Sequence, residues 1–322
     1  MLTIWTNAQF SDAPRALLVE GTKAHRLIFS TQLSASNLAK AAPDPALLEA
    51  DVAFGQPDPG LALQCPRLRW IHLTTAGYAR YDNGEFRDGF GGRGAMLTSS
   101  SQVYAEPCAE HVLSFMLAHA RQLPLSLDNQ RTSRGWPHLP HRAISRLLLG
   151  QKVVLLGFGA IGRRLAELLG PLGMKITAVR RKPAGDENVD VVTEDRLDAA
   201  LADADHVVNL LPENPATQGF VSAPRLAAMK AGAIFYNVGR GTTVQQDALL
   251  AALRSGRLAA AYLDVTDPEP LPPENPLWTA PNCYITPHTA GGHDTESERL
   301  VQHFLANLER YGSGSPLKDR VI

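Results

Sequence analysis

With 322 residues the chain is longer than one average hydrophobic core, which points to two domains. Its 44% hydrophobic, 20% charged and 7% aromatic composition excludes fibrous and disordered classes. Lys plus Arg total 31 against 32 Asp plus Glu, so no global field exists to hold nucleic acid or an anionic membrane, and an anionic ligand has to be caught locally.

Cys65, Cys108 and Cys283 lie far apart, which excludes a CxxC redox or zinc motif and an even-numbered disulfide framework and suits a reducing cytoplasm. The opening MLTIWTNAQF has neither a basic start nor a sustained apolar run. Elsewhere no uncharged apolar run approaches the ~18 residues of a membrane span, so neither targeting nor insertion is expected.

From residue 1 to 98, short apolar runs such as RLIFS, DVAFG and LRWIHL alternate with Ala/Leu-rich stretches and Pro/Gly breaks, the rhythm of a small α/β domain. AMLTSS closes it as a last short strand, and the first hinge is expected there. Residues 110–121 carry apolar side chains at helical spacing and read as an interdomain helix that Pro124 stops. Residues 123–150, rich in Pro, Arg and His, read as a long loop, and such a loop in a folded domain is usually functional or an assembly arm. His138 and His141 in that stretch lack two further ligands, so no metal is assigned.

After Gln151 the pattern becomes regular: KVVLLG, a helix, KITAVR, a polar segment, HVVNLL, a helix, AIFYNVG, a helix, AAYLDV and CYITPH. Near-continuous apolar strands of this kind belong to a parallel sheet covered on both faces.

KVVLL runs directly into GFGAIG and then into a helical pattern. Gly157 makes the tight turn, Gly159 lets backbone approach a pyrophosphate, and Gly162 lets the helix pack on the sheet, so Gly157, Phe158, Gly159, Ala160, Ile161 and Gly162 form a dinucleotide-binding turn. Where an NAD-specific site places an acid, at the end of the next strand, Arg180, Arg181 and Lys182 stand instead. A guanidinium holds a 2′-phosphate that an acid repels, so NADP(H) is the expected cofactor, with NAD(H) as the alternative.

Three polar motifs follow apolar strands in the last third: NVGRG with Arg240, DVTDPEPLP with Asp264 and Glu269, and TPHTAGG with His288. In an open α/β sheet the carboxyl ends of the strands converge on the ligand crevice, so these side chains can meet. Arg240, between Gly239 and Gly241, suits a carboxylate with a neighbouring carbonyl oxygen. Proline neighbours stiffen the backbone at Glu269 and His288. A carboxylate beside an imidazole favours the charged ring, which makes His288 the proton donor to a carbonyl that receives hydride, and the base in reverse. Taken singly, Arg240 fits a surface contact, Glu269 a loop salt bridge and His288 a structural cap; their order and context favour chemistry.

NVGRGTTVQQDALLAAL followed by GRLAAAYLDVTDPEPLPPENPLWTAPNCYITPHTAGG, together with GFGAIG, resembles the signature region of the D-isomer-specific 2-hydroxyacid dehydrogenase family. The likeness runs from about residue 70 to 293 and is most specific between 150 and 292. It implies two doubly wound parallel-sheet domains: a smaller flavodoxin-like substrate domain, residues 1–98 and 292–322, and a Rossmann coenzyme domain, residues 99–291. It implies hydride transfer between NADP(H) and a small anionic 2-oxo or 2-hydroxy acid such as glyoxylate or hydroxypyruvate, in a homodimer.

By that resemblance Arg240 binds the substrate carboxylate and carbonyl, His288 is the acid/base that also borders the cofactor, and Glu269 orients it. Asp264 sits near the nicotinamide amide, and Leu211, Pro212, Val238 and Gly239 border the cofactor. TTAGY resembles the loop whose backbone amides hold the substrate carboxylate, which points to Ala76 and Gly77. RGWPHLPHR resembles the variable arm of the glyoxylate/hydroxypyruvate reductase branch and makes Trp136 a pocket candidate. Two departures stand out: the Arg pair replaces the family's common acid, and Ala105 stands where many members carry Thr. The same fold also serves as a cofactor-sensing corepressor scaffold and in formate or phosphite oxidation, so fold alone does not settle function.

Overall fold

Thr3–Ala8, Arg26–Ser34, Val52–Phe54, Trp70–His72 and Met96–Thr98 form β1 to β5 of a parallel sheet ordered β2-β1-β3-β4-β5 in the computed structural model, which describes residues 1–34 and 42–322. That order is the flavodoxin-like one. The sheet belongs to the first of two compact units, Met1–Tyr104 with Gly292–Ile322; the second is Ala105–Gly291. The first unit thus runs six residues past the hinge expected after residue 98.

In the first unit, α1 (Asp12–Gly21), α2 (Pro59–Gln64) and the short α3 (Gly84–Phe86) join the strands. The C-terminal helix Glu296–Gly312 presents Leu300, Val301, Phe304 and Leu308 to the sheet, a helical period that buries one stripe. Phe304 stacks on Phe54 with ring centroids 4.3 Å apart and on Trp70 at 5.5 Å. Beyond it the chain end pairs with β5: Val321 N donates to Leu97 O at 2.8 Å, and Arg320 bridges Thr98 antiparallel. An otherwise open sheet edge is thereby covered.

The 110–121 helix begins earlier than its apolar spacing suggests: α4 spans Ser101–Ala120 with Pro107 inside it. Pro107 is the seventh residue of that helix and lacks the N–H that would bond Val103 O, yet the helix continues through it. The expected loop at 123–150 is corrected by two helices, α5 (Leu123–Arg131) and α6 (His138–Ile144). Gln122, at φ 56°, terminates α4, and Pro124 sits in the first turn of α5, where its missing N–H costs nothing.

Seven parallel strands form the second sheet: β6 (Lys152–Leu156), β7 (Lys175–Val179), β8 (Asp190–Val192), β9 (His206–Asn209), β10 (Ala233–Asn237), β11 (Leu258–Leu263) and β12 (Cys283–Ile285). Their order is β12-β11-β10-β9-β6-β7-β8. The short β8 lies in the segment that reads as merely polar. Crossovers include α7 (Ala160–Leu169), α8 (Leu197–Asp203), α9 (Ala223–Ala228) and α10 (Gln246–Arg254). The chain runs outward from β6 through β7 to β8, then returns to place β9 on the other side of β6. That reversal is the switch point at which ligands bind in doubly wound sheets. No described helix is long and apolar enough to cross a membrane.

Candidate active site

The turn after β6 opens at Gly157, whose φ of +98° disfavours any side chain. Gly159 is the N-cap of α7, and a Cβ there would meet nothing within 4 Å, so the backbone face is open to a ligand. At Gly162 a Cβ would lie 2.9 Å from Gly157 O, so the helix is seated directly on the turn. An open glycine face before a helix N-terminus fits a dinucleotide pyrophosphate. Phe158 is buried, with the Arg163 guanidinium over its ring at 5.3 Å, while Ala160 and Ile161 are half-buried in the first turn of α7.

Successive loops at the carboxyl ends of the strands touch one another. A Cβ on Gly239 would lie 2.7 Å from Leu211 O, and one on Gly241 would lie 1.9 Å from Thr266 O. Both glycines beside Arg240 are thus explained by the close approach of neighbouring loops, not by access of an anion to the guanidinium. Overpacking of this kind costs about 1–3 kcal/mol. Gly241→Ala is expected to lower Tm by roughly 2–10 °C; an unchanged melting curve would show that the loops are not locked together.

Arg240 is half-buried, and its Nη1 donates to Gly239 O at 2.6 Å. Its carbonyl accepts from Thr243 Oγ1 at 2.6 Å and Asn237 Nδ2 at 3.2 Å. Asn237 Oδ1 in turn accepts from Asn209 Nδ2 at 2.9 Å, and Asn209 Nδ2 also reaches Thr243 Oγ1 at 2.7 Å. This buried amide network fixes the Arg240 backbone, and sequence reasoning missed it. Its signal was an asparagine closing each of two apolar strands, HVVN and AIFYN. Val238 is buried, and its N–H donates to Asn209 O at 3.2 Å; Pro212 O accepts from Thr217 Oγ1 at 2.6 Å.

His288 Nδ1 lies 2.7 Å from Glu269 Oε2, and Glu269 Oε1 accepts from Thr266 N at 3.1 Å. Burial would raise the Glu269 carboxyl, but the hydrogen bond and charge of His288, the Thr266 N–H and the Arg240 charge outweigh it and leave it below the ordinary 4.5. An ionised carboxylate only accepts, so Nδ1 carries the proton of that bond and Nε2 is left for a substrate. His288 holds φ at 54°, a region that non-glycine residues rarely occupy and that tends to mark functional positions.

Asp264 is buried and uses its carboxylate on the strap that carries His288. Oδ1 accepts from Thr286 Oγ1 at 2.7 Å and Thr289 N at 2.8 Å, and Oδ2 from Ala290 N at 3.0 Å. Its own carbonyl accepts the His288 N–H at 2.9 Å.

Arg180 follows β7 and is paired with Glu187, while Arg181 and Lys182 are exposed. In the first unit, Ala76 and Gly77 are half-buried in the loop after β4, where Thr75 Oγ1 donates to Gly77 O at 2.6 Å. Trp136 is 93% exposed between α5 and α6.

A doubly wound sheet with a glycine turn at its switch point, and an Arg and a Glu–His pair on neighbouring loops, has the parts of a nicotinamide-dependent dehydrogenase. A family profile described as "D-isomer specific 2-hydroxyacid dehydrogenase, NAD binding domain" matches residues 113–290. The hydroxypyruvate reductase of Blautia hydrogenotrophica is 37% identical over 262 residues, covering 79% of each chain. The glyoxylate reductase/hydroxypyruvate reductase of Homo sapiens is 34% identical over 233 residues, 70% of this chain and 71% of the relative. Among solved structures, an NADPH-dependent glyoxylate/hydroxypyruvate reductase from Sinorhizobium meliloti, in complex with NADP and sulfate, superposes with a TM-score of 0.80 at 27% identity, over 100% of this chain and 98% of that one. The chain belongs to the D-isomer specific 2-hydroxyacid dehydrogenase family. It is thus a nicotinamide-dependent oxidoreductase acting on the CH–OH group of 2-hydroxy acids.

Proposed function

We propose that this enzyme reduces a small 2-oxo acid of the glyoxylate or hydroxypyruvate kind with NADPH in preference to NADH. The observation that carries the reading is the 2.7 Å His288–Glu269 pair, set on loops beside that of Arg240 at the carboxyl ends of a dinucleotide-type sheet. The relatives named for glyoxylate and hydroxypyruvate supply the substrate class, and the basic run 180–182 supplies the cofactor preference.

The nicotinamide, when bound, supplies the hydride for the carbonyl carbon. His288 Nε2–H donates the proton to the carbonyl oxygen, and Glu269 keeps the ring oriented. Arg240 holds the substrate carboxylate and polarises the carbonyl, with Ala76 and Gly77 amides as further carboxylate donors. Gly157 to Gly162 hold the pyrophosphate, and Leu211, Pro212, Val238 and Gly239 border the dinucleotide. Asp264 holds the His288 strap and lies on the nicotinamide side of the site.

In this reading residues 1–98 and 292–322 serve the substrate and residues 99–291 the coenzyme. Leu123, Leu125, Leu127, Trp136, Leu139, Ile144, Leu147 and Leu149 are all exposed, an apolar concentration that supports a homodimer through this arm. Three free thiols are in keeping with a reducing cytoplasm.

Steady-state assays of glyoxylate, hydroxypyruvate and longer 2-oxo acids with each cofactor, alongside formate and phosphite as oxidisable anions, test the proposal. Turnover of a 2-oxo acid with a higher kcat/KM for NADPH than for NADH is expected. Equal values or an NADH preference would overturn the cofactor reading; oxidation of formate or phosphite alone, or no turnover, would overturn the substrate reading.

A further inference from the structure

Between β7 and β8 the chain folds back on a single carboxylate. Glu187 Oε1 pairs with Arg180 Nη1 and accepts from Ala184 N at 2.8 Å, while Oε2 accepts from Gly185 N at 2.8 Å. Gly185, at φ +83°, lets two successive N–H groups converge, which makes a small anion nest. The Glu187 side chain is only 2% exposed in that nest. The N–H of Ala184 is the main cause that holds its carboxyl down to about 2; burial opposes this, and the Gly185 N–H and Arg180 add to it, so the group is ionised at any working pH. Neighbouring Asp186 is engaged elsewhere, 2.9 Å from Arg163, so Glu187 is the anion that faces Arg180.

Arg180 is also the first residue after the second strand of this sheet, the position at which such folds meet the adenosine ribose of a dinucleotide. An internal anion therefore occupies the guanidinium that a 2′-phosphate would seek. We propose that Glu187 is a specificity-determining residue that competes with the cofactor 2′-phosphate for Arg180 and so limits this enzyme's preference for the phosphorylated dinucleotide. The inference rests on the NADP(H) reading above. With Glu187 in place Arg180 and Glu187 form a neutral pair, and the exposed Arg181 and Lys182 carry the remaining attraction for the phosphate. Without the Glu187 charge, Arg180 is released and a repulsive neighbour of the phosphate disappears.

The test is calorimetric binding of two fragments, adenosine 2′,5′-bisphosphate and AMP, to the whole enzyme as wild type, Glu187→Gln and Arg180→Ala. Glutamine removes the charge and keeps one acceptor oxygen for the nest, while its NH2 cannot accept the N–H that the second carboxylate oxygen holds. Glu187→Gln is expected to bind the bisphosphate about 5-fold more tightly or better. Its affinity for AMP should be unchanged, and the gain should shrink as salt is raised. Arg180→Ala is expected to weaken the bisphosphate alone. Bisphosphate affinity that is unchanged or lower in Glu187→Gln, while Arg180→Ala still weakens it, would overturn the role of Glu187 and leave the NADP(H) reading standing. If neither substitution alters bisphosphate affinity relative to AMP, both fall.

Discussion

His288→Ala is expected to lower kcat for 2-oxo acid reduction by at least about 100-fold, the usual contribution of a positioned general acid, with a smaller change in KM. The ring Nδ1 is committed to Glu269 Oε2 at 2.7 Å, so on the proposed mechanism alanine removes the proton donor. The strap itself should survive, because Asp264 holds it through the backbone N–H groups of Thr289 and Ala290 rather than through the imidazole. Glu269→Gln sharpens the assignment. Glu269 is held below its ordinary value of 4.5, so its carboxylate is lost only as pH falls into the acid range and the orienting hydrogen bond is present at neutral pH. An amide can turn its NH2 toward the ring and hold the wrong tautomer, so the variant should lose kcat at neutral pH. Steady-state kcat of the two enzymes side by side checks this. A His288→Ala enzyme near the wild-type rate, or a Glu269→Gln enzyme that keeps full kcat, would remove the pair from the mechanism.

Arg240→Ala is expected to raise KM and lower kcat together, reducing kcat/KM by roughly 100- to 1,000-fold, the range for losing one preorganised donor to a developing oxyanion. Arg240→Lys should recover little, because a point charge does not reproduce the planar fork that meets a carboxylate and its neighbouring carbonyl. The substitution is a clean one structurally. Asn237 Nδ2 and Thr243 Oγ1 hold the Arg240 carbonyl, and the side chain's hydrogen bond within the protein is to Gly239 O. Alanine should therefore leave the melting temperature close to wild type while activity collapses. Lost activity accompanied by a large fall in Tm would instead make Arg240 a structural residue.

The dinucleotide-type turn and the order of the chemical residues were legible because each depends on short-range rules. A run of four apolar residues, a glycine turn and a helical stripe are contiguous in the chain. Arg240, Glu269 and His288 each follow an apolar strand, and parallel strands deliver their carboxyl ends to one side. The helices α5 and α6 were not legible, since their leucines face outward and do not make the one-sided stripe that marks a buried helix. Pro107 and Pro124 added to the difficulty, because proline reads as a stop wherever its place within a helix is unknown.

What the amino-acid order determined by itself is the pair of parallel α/β sheets, the glycine turn at the start of the second, and the placing of Arg240, Glu269 and His288 after strand ends. Tertiary structure alone decided how those side chains are held. The Asn209–Asn237–Thr243 network joins residues up to 34 positions apart. Gly239 and Gly241 are required by loops 28 and 25 residues away, at Leu211 and Thr266, rather than by a ligand. Arg180, which reads as a free cation, is paired with a nearly buried Glu187. Periodicity and motif spacing report which face of an element is apolar, whereas a hydrogen-bond partner is chosen by distance in space, and that distance exists only once the sheets have formed.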